Sequence, residues 1–338
     1  MSEFAGYEIE VPFGPGPGTI NGLDEDRILH NLVDVFSSPA GFAYYGSLTP
    51  LRSEGNSGTT YFHDPTTGKT INAMALPNRG VQDSLQTITE AQKIADEYGK
   101  PLIISISPGK GDDPSKSMPQ AAHDVLQAGA KVIEINYSCP NKLSADGEGR
   151  DPILSYDPDM VVATREKILD TIGYDQIMIE KLAPFLAFAP RNRRGIEMLA
   201  IIDSLNRNPR GVAGLALSNT IMGHDLILED GSHGLDIVGK RLDEQGKEEI
   251  THSHVGGLSG RFVAPMMREE LRQIHGKLEH GFELVSAGGI DSGREVAERI
   301  RLGASIACGV TVFWEGEKAG RSYGATARNI AQEYAEVV

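Results

Sequence analysis

Eight short, apolar, β-branched runs alternate with longer segments of helical period, and this alternation constrains the chain more than any other feature. The runs fall at 42–47, 71–74, 102–107, 131–136, 177–181, 212–217, 284–287 and 305–309. Helical patterns occupy 80–99, 114–129, 158–172, 191–207, 265–280, 291–302 and 316–336, with a further one at 24–36. Strand and helix in strict turn is the pattern of parallel β/α units. Eight of them predict an α/β fold of the (β/α)8 TIM-barrel type, one domain over residues 1–338. Two stretches, 48–70 and 221–255, are too long and polar to be simple connections. They read as insertions over the C-terminal face of the strands, where barrel loops build the site. The Gly- and Pro-rich stretch from Tyr7 to Gly22 reads as a cap on the barrel mouth or an approach to it.

Charge and cysteine usage exclude several classes of function. Lys and Arg total 32 against 47 Asp and Glu, a net charge of −15 that repels phosphate backbones and anionic lipid, so no nucleic-acid partner is expected. The one basic run, Arg191-Asn192-Arg193-Arg194, reads as a solvated helix start. Two cysteines cannot form a disulfide framework and suit a reducing compartment. The N-terminus lacks a basic region followed by an apolar core, and no window approaches a membrane span, so a cytoplasmic protein without membrane contact is expected. His252 and His254 are too few ligands to predict a metal. Cys308 reads as packing, and Trp314 as structural.

The residues at the strand ends carry the chemistry. The segment Glu134 to Asn141 delivers Asn136, Ser138, Cys139 and Asn141 into one loop. A thiolate there can take a proton, while amides offer a donor and an acceptor each to a planar polar ring. Asn72, Asn219 and Thr220 follow other strands and face the same end, although singly each reads as a turn or cap residue. Lys181 closes its strand at that end, where its ammonium suits the N1 and O2 edge of a flavin. Glycine turns after the last two strands, Gly288-Gly289 and Gly309-Val310-Thr311, form the phosphate cradle expected of a barrel, with Gly256-Gly257-Leu258-Ser259-Gly260 placed to close the pocket.

Taken together, Pro12-Phe13, Gly16 to Gly18, Arg52 to Asn56, Ile71 to Asn78, the Cys139 loop, Lys181, Asn219-Thr220, Gly256-Gly257, Gly288-Gly289 and Thr311 resemble the dihydroorotate dehydrogenases. The likeness is nearest to the soluble, fumarate-using class 1A. It implies FMN as cofactor, with Cys139 taking the C5 proton of dihydroorotate, hydride passing from C6 to flavin N5, and fumarate as acceptor. The pyrimidine would be held by Asn72, Met74, Leu76, Asn136, Asn141, Asn219 and Thr220. The flavin would lie on Gly16, Pro17 and Lys181, with its phosphate on Gly256, Gly257, Gly288, Gly289, Gly309, Val310 and Thr311. A homodimer is implied as well. The membrane-bound class uses serine as its base and carries an N-terminal anchor, neither of which this chain shows. One departure bears on substrate: the family's lysine beside flavin and orotate falls on Gly46. An acid substrate needs charge-assisted donors, so a neutral dihydropyrimidine is the alternative, and Asn219-Thr220 resembles the version in dihydropyrimidine dehydrogenases. A barrel binding a phosphorylated ligand without catalysis is the reading from another class.

Overall fold

The strand Val132–Asn136 shows how the sequence builds this fold: all five residues are buried, because a parallel barrel covers both faces of its strands. Ile133 and Ile135 pack outward beneath the helices, while Val132 points into the barrel. A computed structural model of the chain describes residues 2–139, 152–185, 194–242, 248–279 and 281–338. Within them, eight parallel strands lie in the order Phe13–Pro15, Ile306–Gly309, Glu283–Ala287, Gly214–Leu217, Ile177–Leu182, Val132–Asn136, Leu102–Ile106 and Ala43–Leu48. The two ends of this sheet approach each other to give a nearly closed barrel: Gly41 N–H donates to the Phe13 carbonyl at 2.9 Å and Gly18 N–H to the Gly46 carbonyl at 2.6 Å. Helices alternate with the strands, as the sequence pattern requires.

A hairpin, Ser2–Phe4 with Tyr7–Ile9, plugs the N-terminal end. Its Phe4 and Ile9 pack against Phe42, Tyr44, Ile103, Val132, Ile179, Val285 and Ile306 inside the barrel. Each such side chain contributes about 1.5–3 kcal/mol by leaving water. That end is therefore solid core, and the opposite end is left for chemistry.

Three expectations change. The run 71–74 is not a barrel strand: Lys69–Asn72 pairs antiparallel with Tyr61–Asp64 and Val255–Ser259, because the turn at Asp64–Gly68 folds it back as a hairpin. Phe13–Pro15 takes the eighth barrel position, hidden in the sequence by its Gly and Pro content. The long insertions carry strands of their own. They form a four-stranded sheet with Ile221–Asp225 at its other edge, and a three-stranded sheet of Ser57–Thr59, Asp236–Leu242 and Glu248–Ser253. The last helical pattern is two helices, Thr311–Lys318 and Tyr323–Ala335, separated at Gly320, whose φ of 75° ends the first while Ser322 caps the second.

Candidate active site

Strand ends and the four-stranded sheet enclose a cavity of about 370 Å³ at the C-terminal mouth of the barrel. The Cys139 loop, the Lys181 strand and the 214–217 strand bring Asn136, Cys139, Lys181, Asn219 and Thr220 into its wall. Asn72, Met74 and Leu76 reach it from the hairpin strand and the bend that follows. At the other end lie Pro17, Gly288, Gly289, Gly309, Val310 and Thr311. Gly16 sits one residue outside the wall, its N–H held by the Gly309 carbonyl at 2.8 Å. Gly256 and Gly257 also lie outside the lining, and Gly256 is needed for sheet packing, since a Cβ there would stand 2.7 Å from the Asn72 carbonyl oxygen. Gly260 and Arg261, a few residues on, face the cavity instead. Asn141 and Arg191 to Arg193 lie outside the described residues.

Polar side chains near Cys139 are tied together. Asn136 accepts the Ser138 N–H at Oδ1 (3.0 Å), and Asn219 Nδ2 donates to Ser138 Oγ at 2.9 Å. Asn136 Nδ2 donates to Ser47 Oγ at 2.9 Å. Ser47, Asn21, Ser218 and Arg261 carry no motif, and only the folded chain shows that they face the cavity. Gly46 itself has φ 113°, and a Cβ there would stand 2.4 Å from the Ser105 carbonyl oxygen. The backbone at this point excludes a lysine and presents Ser47 to the cavity.

Lys181 is 7% exposed and shares the barrel interior with Glu134, whose fully buried carboxyl is pushed up by burial and pulled back by Lys181 and by Ser105. The glycine end has backbone geometry that could cradle an anion. Gly288 and Gly289 have φ of 86° and 79°, and a Cβ on Gly289 would stand 2.7 Å from the Ala264 nitrogen, so neither place accepts a side chain without strain. The helix opening at Thr311 aims its first amides at the same end of the cavity. Buried Arg299 fixes this loop from behind, donating to the Gly288 carbonyl at 2.8 Å and Ser286 Oγ at 2.9 Å while Glu295 holds its Nε at 2.7 Å. Arg299→Lys keeps the charge and loses the fork. Retention of a phosphate-bearing ligand should weaken about tenfold, the scale of one hydrogen bond to a charged group, as measured by equilibrium dialysis.

The two cysteines differ. Cys139 lines the cavity, whereas Cys308, on its floor, is 2% exposed and burial pushes its thiol up to about 12. Thiolate is the reactive form, so iodoacetamide below pH 9 should label Cys139 and spare Cys308, as read by peptide mass mapping. Trp314, expected to be structural, faces the cavity and packs edge-on against Tyr61 at 4.9 Å, and Tyr61 donates to Glu315 at 2.8 Å. His252 and His254 lie on the insertion: His252 Nδ1 is 2.7 Å from Asp236 Oδ1, and His254 Nδ1 is 2.7 Å from the Leu235 carbonyl, with its ring stacked on His233.

A (β/α)8 barrel whose C-terminal mouth joins an anion cradle to a thiol, a buried ammonium and a set of amides is built as an enzyme of small polar ligands. A sequence profile of the family described as dihydroorotate dehydrogenase matches residues 2–322. The chain belongs to that family, which is one of oxidoreductases. Among its relatives are the dihydroorotate dehydrogenase (fumarate) of Saccharomyces cerevisiae, 27% identical over 81% of this chain and 76% of the yeast protein. The dihydroorotate dehydrogenases (quinone) of Proteus mirabilis and Delftia acidovorans are 28% and 24% identical, each over 86% of this chain and over 76% and 75% of their own lengths. Among the described residues no helix is long and apolar enough to cross a membrane.

Proposed function

We infer that the protein is an FMN-dependent dehydrogenase that oxidises dihydroorotate to orotate, with Cys139 as the base. The observation that carries this reading is the meeting of Cys139, Asn136, Asn219 and Lys181 in one cavity whose far end is a backbone cradle. The donors present suit FMN. The positive-φ glycines and the Thr311 amides would hold the phosphate, and Lys181 would lie beside the ring. When bound, FMN supplies the acceptor for the hydride leaving C6. Cys139 takes the proton from C5, and the electron pair of that C–H bond becomes the C5=C6 double bond as the hydride departs. Asn72, Asn136, Asn219 and Thr220 satisfy the ring's carbonyl and N–H groups, Met74 and Leu76 cover its apolar edge, and the Tyr61–Trp314 contact helps the hairpin sheet exclude water. The yeast relative's name supports fumarate as acceptor, and the resemblance supports a cytoplasmic homodimer.

A second reading, a neutral dihydropyrimidine, rests on Gly46, where the backbone leaves no room for the family's lysine. Extraction of the purified protein should release FMN, identified by mass. Turnover with dihydroorotate exceeding that with dihydrouracil supports the first reading, and the reverse order supports the second. Protein that takes up no flavin sinks both.

A further inference from the structure

Glu134 never reaches the cavity, yet it ends a hydrogen-bonded chain that starts there. Its side chain is wholly buried inside the barrel, one layer below Asn136. Ser105 Oγ donates to Glu134 Oε1 at 2.7 Å, and Ser105 and Ser47 hydroxyls lie 2.7 Å apart. Ser47 Oγ is 2.9 Å from Asn136 Nδ2, and Asn136 Oδ1 faces both the N–H and the hydroxyl of Ser138, at 3.0 and 2.7 Å. Asn219 Nδ2 closes the series on Ser138 Oγ at 2.9 Å. Three strand ends and the segment after a fourth strand are linked in this way.

The direction of every bond is fixed by the ends. The Ser138 backbone N–H can only donate, so the oxygen of Asn136 faces it and the amide nitrogen faces Ser47. Ser47, already receiving that donor, gives its proton to Ser105. Ser105 gives its own to Glu134 Oε1, which accepts it. Without the acid, the two serine hydroxyls are free to turn, and the Ser47 hydroxyl can compete for ligand groups at the cavity wall.

The geometry points to Glu134 and Ser105 as positioning residues that act through Ser47 and Asn136 to set which atoms the cavity offers to its ring ligand as donors and which as acceptors. This deepens the proposed function and rests on it. Tyr44, whose phenol is held well above its usual range by burial and by the Glu134 charge, stays a neutral neighbour of the acid.

The test is a titration of oxidised, FMN-loaded protein with orotate and, separately, with uracil, following the flavin absorbance shift. Ser105→Ala should raise the Kd of whichever ring binds wild type about tenfold, the scale of one charge-assisted hydrogen bond. Ser105→Thr, which keeps the hydroxyl, should restore most of the affinity. Glu134→Gln keeps the volume and one acceptor without the charge, and should fall between wild type and Ser105→Ala. In each variant the limiting rate of flavin reduction should move less than KM. Melting curves run in parallel separate this from a structural role, which lowers Tm and leaves Kd where it was. Wild-type Kd in a folded Ser105→Ala or in Glu134→Gln overturns the inference. Neither ring binding wild type is the failure of the functional reading itself, and it takes the inference with it.

Discussion

Replacement of Cys139 by alanine should leave a yellow, folded protein whose flavin is reduced by dihydroorotate at least 10² times more slowly than wild type, the usual scale for a lost general base. The expectation follows from placement. Cys139 is 7% exposed, lines the cavity at the end of the Val132–Asn136 strand, and shares its wall with Asn136 and Asn219. A thiol is a small side chain, and its truncation removes the proton acceptor while leaving the ring's polar partners in place. KM should therefore change little beside kcat, the pattern of a group acting mainly in the transition state. Cys139→Ser, which restores an oxygen at the same point, should recover part of the rate at high pH. Anaerobic stopped-flow gives the reduction rates and steady-state turnover gives kcat and KM, and an alanine variant reduced as fast as wild type would remove Cys139 from the chemistry.

A comparably large effect on stability is expected far from any ligand. Glu180, fully buried on the strand that carries Lys181, is gripped by Arg165 of helix Pro158–Ile172, with Nε to Oε1 at 2.8 Å and Nη2 to Oε2 at 2.6 Å. The third arm of the guanidinium donates to Ser204 of helix Arg194–Arg207 at 2.8 Å, so one cation joins two helices to the barrel. Desolvating two charges costs several kcal/mol, which bidentate geometry offsets only while both partners are present. Glu180→Ala leaves a buried cation uncompensated and should cost about 3–5 kcal/mol, out of a total stability of about 5–15 kcal/mol. The paired replacement Arg165→Met with Glu180→Leu should recover most of that loss, since no buried charge remains. Urea unfolding monitored by circular dichroism decides the matter, and a loss below about 1 kcal/mol for Glu180→Ala would place the pair with weak, solvated ion pairs.

How much of this was legible in the sequence follows from how local each signal is. Strands such as Val132–Asn136 and Leu102–Ile106 are read from continuous apolar runs because their burial on both faces leaves no other pattern. Phe13–Pro15 was hidden because three residues with a glycine and a proline give no period, and only pairing with Ile306–Gly309 makes them a strand. Lys69–Asn72 failed in the opposite sense: its Ile71 resembles barrel sequence, yet a hairpin turn decides its partner. Cys139, Lys181 and the strand-end asparagines stood out because polar groups at the ends of apolar strands are few. Ser47, Ser105 and Glu134 did not, since their connection is a matter of register across neighbouring strands, which no single stretch encodes. Arg261 was missed for a related reason, as the antiparallel pairing of Val255–Ser259 sets which residues of the glycine-rich segment face inward.

The most direct measurement is an anaerobic titration of the FMN-loaded wild-type protein with dihydroorotate, followed by its visible spectrum. Bleaching of the flavin band to completion near one equivalent, with orotate as the product and colour restored by fumarate, is the expected result. A band that stays unchanged at excess dihydroorotate, in protein shown to hold FMN, would contradict the account.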